Sequence, residues 1–466
     1  MTIQQSPNDN TRKVWNHEFT WTDKHFTPEE LLPLRQQTDD LAVDAVNRLQ
    51  AIAVKAKSNK SNMGQCFGRF DMYSVLKEHH EEDSVLQELW EEVNTVPEWV
   101  DWTQIERGQE FVYRYMIPNI TGLALQGFLG GTATIAGGTE VIVRTGGFSI
   151  RVLPRRFLES FLWLLQVTMD LESIKPGGEG HTSTVRVRLL HATVRNRIVK
   201  LMDQDPMYFD EAKYGVPVNM RDAIHATAIF CCMPLFRQLP KIGIQPRPQE
   251  TEDFLALFRY IAYVMATPDS FFNGAEQSKA TMESVMMCEP EPTESSKAVG
   301  ANFVAAIQDY PGVNVSKSMI EVGCRVLSGD DLADKMGFSQ PGIFYRASFR
   351  GWCQLLVAIN ALQRLSPAFD QILMRKSKEF VLVNVFGASI LKEGNKFEFT
   401  HQPQLNKFTK KETKADTNIS WFRPVETIGF VMFLFECLVY ALAFGLPVYV
   451  LYANGIVSRT LLHVLR

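Results

Sequence analysis

The spacing of apolar residues between positions 96 and 391 constrains this chain more than any other feature. Apolar side chains recur there at intervals of three and four positions, as in Phe157, Phe161 and Leu164. Such intervals place side chains on one face of an α-helix, whereas a half-buried strand alternates with a period of two. Residues 96–391 are therefore predicted to form one large α-helical domain.

Polar segments flank this domain on both sides. Residues 1–95 are predicted to form an N-terminal helical extension. Residues 392–426, which include six lysines, are predicted to form a polar linker or surface arm. Alternating patterns at residues 380–385 and 396–400 predict a small sheet or hairpin at most.

Composition excludes several classes of protein. An apolar content of 45% indicates a folded body, and a formal net charge of −4 gives no reason to expect nucleic acid as a partner. The seven cysteines are scattered, with no Cys-x-x-Cys pair that would indicate a zinc site or a disulfide framework. The G-x-S-x-G, H-E-x-x-H and G-x-x-x-x-G-K-[ST] motifs of hydrolases, zinc proteases and P-loop proteins are absent from the sequence.

An apolar run near the C-terminus is long enough to cross a bilayer. Residues 428–452 contain one charged residue, Glu436. We predict a transmembrane helix over residues 427–453 and a short tail over residues 454–466. The lysines that precede the run favour a cytosolic position for the main body. A buried C-terminal helix, or a re-entrant pair broken at Gly445 and Pro447, is the alternative.

One helical segment could hold a cofactor. In residues 181–203 the sequence places Arg188 three positions before His191 and Arg195 four positions after it. These separations put an imidazole between two guanidiniums on one helix face. A neutral imidazole beside an apolar stripe suits haem iron, and the guanidiniums suit haem propionates. A surface or helix-end histidine among arginines is the competing interpretation, and spacing alone does not decide between them.

A family resemblance bears on that choice. The blocks WVDWTQIERGQEFVYRYMIPNITGLALQGFLGGTATIAGGTEVIVRTGG, VRVRLLHATVR and YGVPVNMRDAIHAT resemble fungal endoplasmic-reticulum-bound oxygenases. These are relatives of the farnesyl-chain-cleaving oxygenase of mycophenolic acid biosynthesis and of the bacterial latex-clearing proteins. The resemblance covers roughly residues 95–390. It implies a globin-like helical core that binds haem b through one histidine and cleaves a C=C bond of an isoprenoid with O2.

Carried over by position, the resemblance implies roles for individual residues. His191 matches the axial iron ligand, and Arg188 and Arg195 match the two arginines beside it. Arg156, Glu159 and Ser160 fall where the family has a distal Arg-x-x-Lys/Glu-Thr pattern. Here the chain departs from the rubber-cleaving members, because Glu159 replaces a lysine that can cover the iron and Ser160 replaces a threonine.

Two further residues have open roles. Glu140 lies in an otherwise uncharged stretch, so it could act as a base with a raised pKa, or it could be a buried partner of Arg144 one turn away. His225 is either a second group in the iron pocket or a core histidine with satisfied hydrogen bonds.

The predicted function is that of a haem b-dependent oxygenase that acts on a hydrophobic isoprenoid or polyene, tethered to the endoplasmic reticulum with its catalytic domain in the cytosol. The expected partners are this substrate, O2 and membrane lipid. The alternative is a non-catalytic haem- or lipid-binding membrane protein of the same fold. A carrier can bind iron from both sides, for instance through His191 and His225, whereas a catalyst needs an open sixth position. A metal-free helical scaffold would bind no chromophore.

Overall fold

The computed structural model describes residues 10–59, 71–131, 134–146, 148–150, 152–310, 314–381 and 423–445. Helices dominate these residues, and the named strands within them form a single two-stranded sheet. The prediction of an all-α fold is therefore confirmed.

The α-helices of the described residues are α1 (Pro28–Leu31), α2 (Asp40–Asn59), α3 (Met72–His79), α4 (Ser84–Asn94), α5 (Trp102–Arg114), α6 (Met116–Gly122), α7 (Leu129–Gly131), α8 (Ala136–Arg144), α9 (Leu153–Thr168), α10 (Leu171–Ile174), α11 (Glu179–Met202), α12 (Glu211–Tyr214), α13 (Met220–Met233), α14 (Leu239–Ile242), α15 (Pro248–Val264), α16 (Gly274–Cys288), α17 (Glu294–Ile307), α18 (Lys317–Ser328), α19 (Asp330–Lys335), α20 (Ile343–Leu365), α21 (Pro367–Val381) and α22 (Pro424–Tyr440). Short 3₁₀ turns cover Leu32–Gln36, His80–Glu82 and Asp269–Phe272.

Three helices of the described residues adopt π-helical geometry, two of them partway along and α22 at its end, where it continues into Ala441–Gly445. α6 continues through Leu123–Phe128 into α7, and α13 continues through Pro234–Gln238 into α14. Pro234 explains the second case, because proline has no N–H to donate to the preceding turn. The two segments pack against each other in the centre of the body. π-Helical turns frequently occur near functional sites, so the pair directs attention to this centre.

The N-terminal residues differ in part from the predicted helical extension. Strands β1 (Thr11–Val14) and β2 (His17–Thr20) form an antiparallel hairpin in which Thr11 pairs with Thr20. The hairpin is fixed to the body because the Trp15 indole donates to the carbonyl of Pro290 over 3.0 Å. Helices α2 and α4 then bury apolar side chains in the same core as the rest of the body.

The predicted strand at residues 380–385 is wrong where the structure describes it, because Phe380 lies in the last turn of α21. The rest of that stretch, residues 396–400 and nearly all of the predicted arm at 392–426 lie outside the described residues, as does the tail at 454–466.

Helix α22 leaves most of its apolar surface uncovered. Residues 424–443 are long and apolar enough to cross a membrane, and only 11% of an 18-residue window within them is buried. A helix buried in the body would be mostly covered, so the described residues do not support the alternative of a buried C-terminal helix.

Candidate active site

Helix α11 lies close against α9. Gly180 allows this approach, because a Cβ atom there would lie 2.5 Å from the carbonyl oxygen of Gln166. The helix starts at Glu179. Trp163 of α9 donates to the hydroxyl of Thr184 over 3.1 Å. These two contacts show that the helices run antiparallel.

The antiparallel register brings Arg156 to the level of His191. Both residues lie seven positions from the Trp163–Thr184 contact, on α9 and α11 respectively. Seven positions are close to two helical turns, so both residues lie on the faces that the two helices turn towards each other. The structure thus aligns two site residues that are 35 positions apart in the sequence.

The imidazole of His191 faces an enclosed space. Protein surrounds it, and this burial lowers its pKa below the ordinary value, against a smaller raising effect of Asp39. By its solvent-accessible surface, however, the His191 residue is exposed. A ring deep in the body has both properties when it lines a space or cleft that protein atoms leave open. No hydrogen bond joins the ring to another residue in the described parts of the chain, so a nitrogen lone pair of the neutral imidazole can bind a ligand.

Arg188 has protein partners. It donates to both carboxylate oxygens of Asp39 over 2.6 and 3.0 Å and pairs with Glu92 over 2.8 Å. Burial acts to lower the pKa of Arg188, but the two carboxylates outweigh it and the pKa is raised. The residue therefore anchors α11 to the N-terminal segment.

Arg195 makes fewer contacts with protein groups than Arg188 does. It donates to the carbonyl of Pro217 over 3.2 Å, and burial lowers its pKa although Asp40 and Glu211 act in the opposite direction. A guanidinium has five N–H donors, so Arg195 retains capacity for an anionic ligand.

On α9, a carboxylate binds two neighbouring guanidiniums. Glu159 accepts from Arg155 over 2.9 Å and from Arg156 over 2.8 Å. Burial lowers the pKa of Arg156, with Glu159 opposing the effect. Ser160 is half-buried on the same helix.

An aromatic layer separates α9 from its neighbours. Phe157 lies 5.0 Å, between ring centroids, from Phe128 of the first π-helical segment, which in turn contacts Phe230 and Phe303. Phe230, Phe161 and Leu164 also line an apolar cleft between α5, α6, α9 and α13. The space next to α9 is therefore bounded by apolar rings.

Glu140 is a buried partner of Arg144, which is the second of its two predicted roles. Arg144 contacts the Glu140 carboxylate over 2.7 Å, and Ser295 of α17 donates to it over 2.6 Å. With both oxygens engaged, this carboxylate ties α8 to α17.

His225 is enclosed on all sides. Its Nε2 atom is buried and has no hydrogen-bond partner within the described residues. Burial, with a smaller effect of Arg221, lowers the pKa of His225 to about 3. His225 is therefore a neutral buried histidine with one unsatisfied nitrogen, which differs from the core histidine with satisfied hydrogen bonds that was one of its two predicted roles.

A second buried polar group lies on the same helix. Burial and the nearby Glu289 raise the pKa of Asp222 to about 7, while Arg221 and Asn219 oppose the rise. Sequence reasoning missed this group, as it missed Asp39 and Glu92, because such partners are far apart in the chain and no motif links them.

The described side chains limit the kinds of metal site that this protein could form. Across the described residues, no three His, Cys, Asp or Glu side chains are grouped so that they could hold a metal ion. A metal bound at His191 must therefore come with its other ligands. Haem meets that condition, since a macrocycle supplies four nitrogen ligands and the protein adds an axial one.

The fold and this site define a helical protein with one open histidine at its centre. The family described as "ER-bound oxygenase mpaB/B'/Rubber oxygenase, catalytic domain" matches residues 113–358, from within α5 to within α20. The chain belongs to this family, as the sequence resemblance predicted, and it is an oxygenase. All the predicted site residues fall inside the match.

Individual relatives agree with this assignment. The rubber oxygenase of Streptomyces sp. (strain K30) is 22% identical over 309 residues, which cover 64% of this chain and 72% of the relative. A solved structure of latex clearing protein LCP in the closed state aligns with a TM-score of 0.54 at 16% identity, covering 82% of this chain and 95% of that one. At this identity the structural similarity shows that the two proteins share a fold, and it shows nothing about function.

Proposed function

We propose that the protein is a haem b-dependent oxygenase in which His191 would hold the haem iron. Its reaction is the oxidative cleavage of a C=C bond in an isoprenoid or polyene. The observation that carries the proposal is the imidazole of His191, which is neutral, free of hydrogen bonds to the described residues and open to an enclosed space. The family supports an oxygenase, and the rubber oxygenase relative supports a polyisoprenoid type of substrate.

When bound, haem b supplies a redox-active iron that activates dioxygen, a capability that amino-acid side chains lack. His191 would hold it. Arg195 has spare N–H donors for a propionate, while Arg188 is committed to Asp39 and Glu92 and acts by fixing α11. The lowered pKa of His191 keeps its nitrogen unprotonated at neutral pH, as an iron ligand requires.

The side chains of α9 would form the opposite wall. Arg156 lies at the level of His191, and its charge is balanced by Glu159. The rings of Phe128 and Phe157 exclude water and accept an apolar chain. In the overall reaction the C=C bond breaks and each carbon receives one oxygen atom of O2, so the products are two carbonyl compounds and no other co-reactant is consumed.

The membrane part of the proposal concerns location. We propose that residues 96–391 form the catalytic domain, that the predicted span at 427–453 tethers it to the endoplasmic reticulum, and that the domain faces the cytosol. Apolar polyenes partition into lipid, so a tethered enzyme meets its substrate at the bilayer surface.

The test uses the full-length protein, produced with added haem precursor. We expect a b-type Soret band and pyridine haemochrome in the unmutated protein and in Lys200→Ala, an exposed control on α11. The band should be lost in His191→Ala. With 18O2 and a polyisoprenoid oligomer, both carbonyl products should carry the label.

Other outcomes would contradict specific parts of the proposed function. No Soret band in the unmutated protein would refute haem dependence. A six-coordinate spectrum without turnover would favour the carrier alternative. A single product that gained one oxygen atom would replace cleavage by monooxygenation.

A further inference from the structure

Helix α22 consists of two parts that differ in their surroundings. The first part, residues 424–436, packs against α20. Glu426 is fully buried and accepts a hydrogen bond from the backbone N–H of Ser316 over 2.6 Å. Gly351 and Gly429 bring the two helices into direct backbone contact, because a Cβ atom at either position would collide with the backbone of the other helix. This part is docked on the body through one face, while Ile428, Val431, Leu434 and Phe435 on its other side are exposed.

The second part has no such contacts. Each residue from Cys437 to Ala443 is exposed, whichever side of the helix it lies on. Leu438, Tyr440 and Leu442 each expose more than half of their surface. The boundary lies at Glu436, which pairs with Arg350 of α20 over 2.7 and 3.1 Å.

The sequence changes at the same place. After Glu436, the next charged residue is Arg459, so residues 437–458 form an uncharged stretch of 22 positions. A bilayer core of about 30 Å needs about 20 residues of helix. A charge within a span makes insertion into the bilayer less favourable, so a span that begins after Glu436 avoids a cost that residues 427–453 incur.

We propose that the bilayer surface lies at the level of the Arg350–Glu436 pair. The part of α22 up to Glu436 belongs to the enzyme body, and the lipid contacts begin at Cys437. This inference rests on the membrane part of the proposed function and deepens it, because the docked part fixes how the body sits on the membrane. Arg350 and Arg346 are exposed near this level, where anionic headgroups lie.

The bilayer is the occupant that fits the second part. A protein partner would bury one face of the helix and leave charges on the other, whereas the residues from Cys437 to Ala443 are exposed and uncharged on every side. The depth of a residue in the bilayer should therefore increase along the helix. At 1.5 Å per residue, Ile428 and Leu442 should differ in depth by about 21 Å.

The experiment measures that depth. The full-length protein is labelled with a fluorophore at a single introduced cysteine in place of Ile428, Leu438 or Leu442, with Cys66, Cys288 and Cys437 replaced by serine and the four buried cysteines kept. It is reconstituted into phosphatidylcholine vesicles that contain nitroxides in the headgroup or in the acyl chain. We expect acyl-chain quenching at 438 and 442, strongest at 442, and its absence at 428.

Three results would overturn the proposal. Equal acyl-chain quenching at 428 and 442 would mean that the whole helix is in lipid. Quenching at none of the positions in vesicles that carry the protein would mean that another surface, such as a second copy, covers the helix. Failure of the protein to float with vesicles would also refute the membrane part of the proposed function, while its haem spectrum would stay informative on catalysis.

Docking is tested separately. Gly351→Leu should separate α22 from α20, so that a spin label at 428 becomes mobile while acyl-chain quenching at 442 persists. Ala358→Leu, an exposed position on the same helix, is the matched control and should change neither. If Gly351→Leu fails to fold, Arg350→Glu should increase the mobility of the label at 428. The Arg350→Glu, Glu436→Arg double variant should return the label to the low mobility of the unmutated protein. An immobile label in folded Gly351→Leu would refute the docked part.

Discussion

His191 on α11 and His225 on α13 are both neutral histidines inside the body, but they differ in what lies next to the ring. The surface of His191 is open, whereas the Nε2 atom of His225 is enclosed by protein and has no partner within the described residues. Burial lowers the pKa of both. A perturbed pKa alone therefore does not identify a ligand site, and the open space beside the ring is what distinguishes the two.

The largest expected effect separates the two histidines by chemical rescue. His191→Gly should lose the b-type Soret band and regain it with added imidazole, because the deleted ring faces a space that a free imidazole can enter. His225→Gly should keep the band without imidazole. Both substitutions place glycine within a helix, at a similar cost of about 1 kcal/mol, so they are matched in that respect. If His225→Gly lost the band and His191→Gly kept it, the assignment of the ligand would be reversed.

The second effect concerns the anchor of α11. Arg188→Ala should lower the free energy of unfolding by about 3 kcal/mol, at the low end for breaking a buried ion pair, because Asp39 and Glu92 keep some contact with water. Arg186→Ala is the control on the same helix. Its pair with Asp71 is near the surface, and we expect a loss of at most about 1 kcal/mol in urea unfolding. Equal losses would show that Arg188 does not anchor the helix.

The third effect is a pH dependence of the free energy of unfolding, caused by His225 on α13. The pKa of His225 is about 3 in the folded protein and near 6.5 when exposed, so below pH 6.5 the unfolded state binds the extra proton. Stability should therefore fall with falling pH, by up to about 1.4 kcal/mol per pH unit from this group. His225→Gln should flatten the dependence of urea unfolding on pH. An unchanged slope in His225→Gln would contradict a neutral buried ring.

The smallest effect tests the wall opposite His191. Glu159→Gln weakens a half-buried pair with Arg155 and Arg156, so it should cost about 1 kcal/mol of stability and leave the Soret band in place. Glu172→Gln, whose pair with Lys175 is exposed, should be close to neutral. Loss of haem in Glu159→Gln would mean that α9 also holds the cofactor, and the single-histidine view of the site would have to change.

Much of the fold was accessible from local patterns. The three- and four-residue spacing predicted the helical body, and the length and composition of the C-terminal run predicted a helix able to cross a membrane. The N-terminal hairpin was missed, because its two strands of four residues each are too short for an alternating pattern to stand out. The expected strand at 380–385 failed at Phe380, which continues the helical turns of α21.

The site was predictable only in part. The positions of Arg188, His191 and Arg195 follow from helical periodicity, so the sequence by itself determined that they share a helix face. Which of these side chains is free to bind a ligand depends on residues far away in the chain, because Asp39 lies 149 positions before Arg188. Only the tertiary structure decided that Arg188 is an anchor, that His191 lines an open space and that Arg156 lies at its level on α9. The physical reason is that periodicity fixes directions around one helix axis, whereas burial, charge pairing and open space depend on which other helices pack against it.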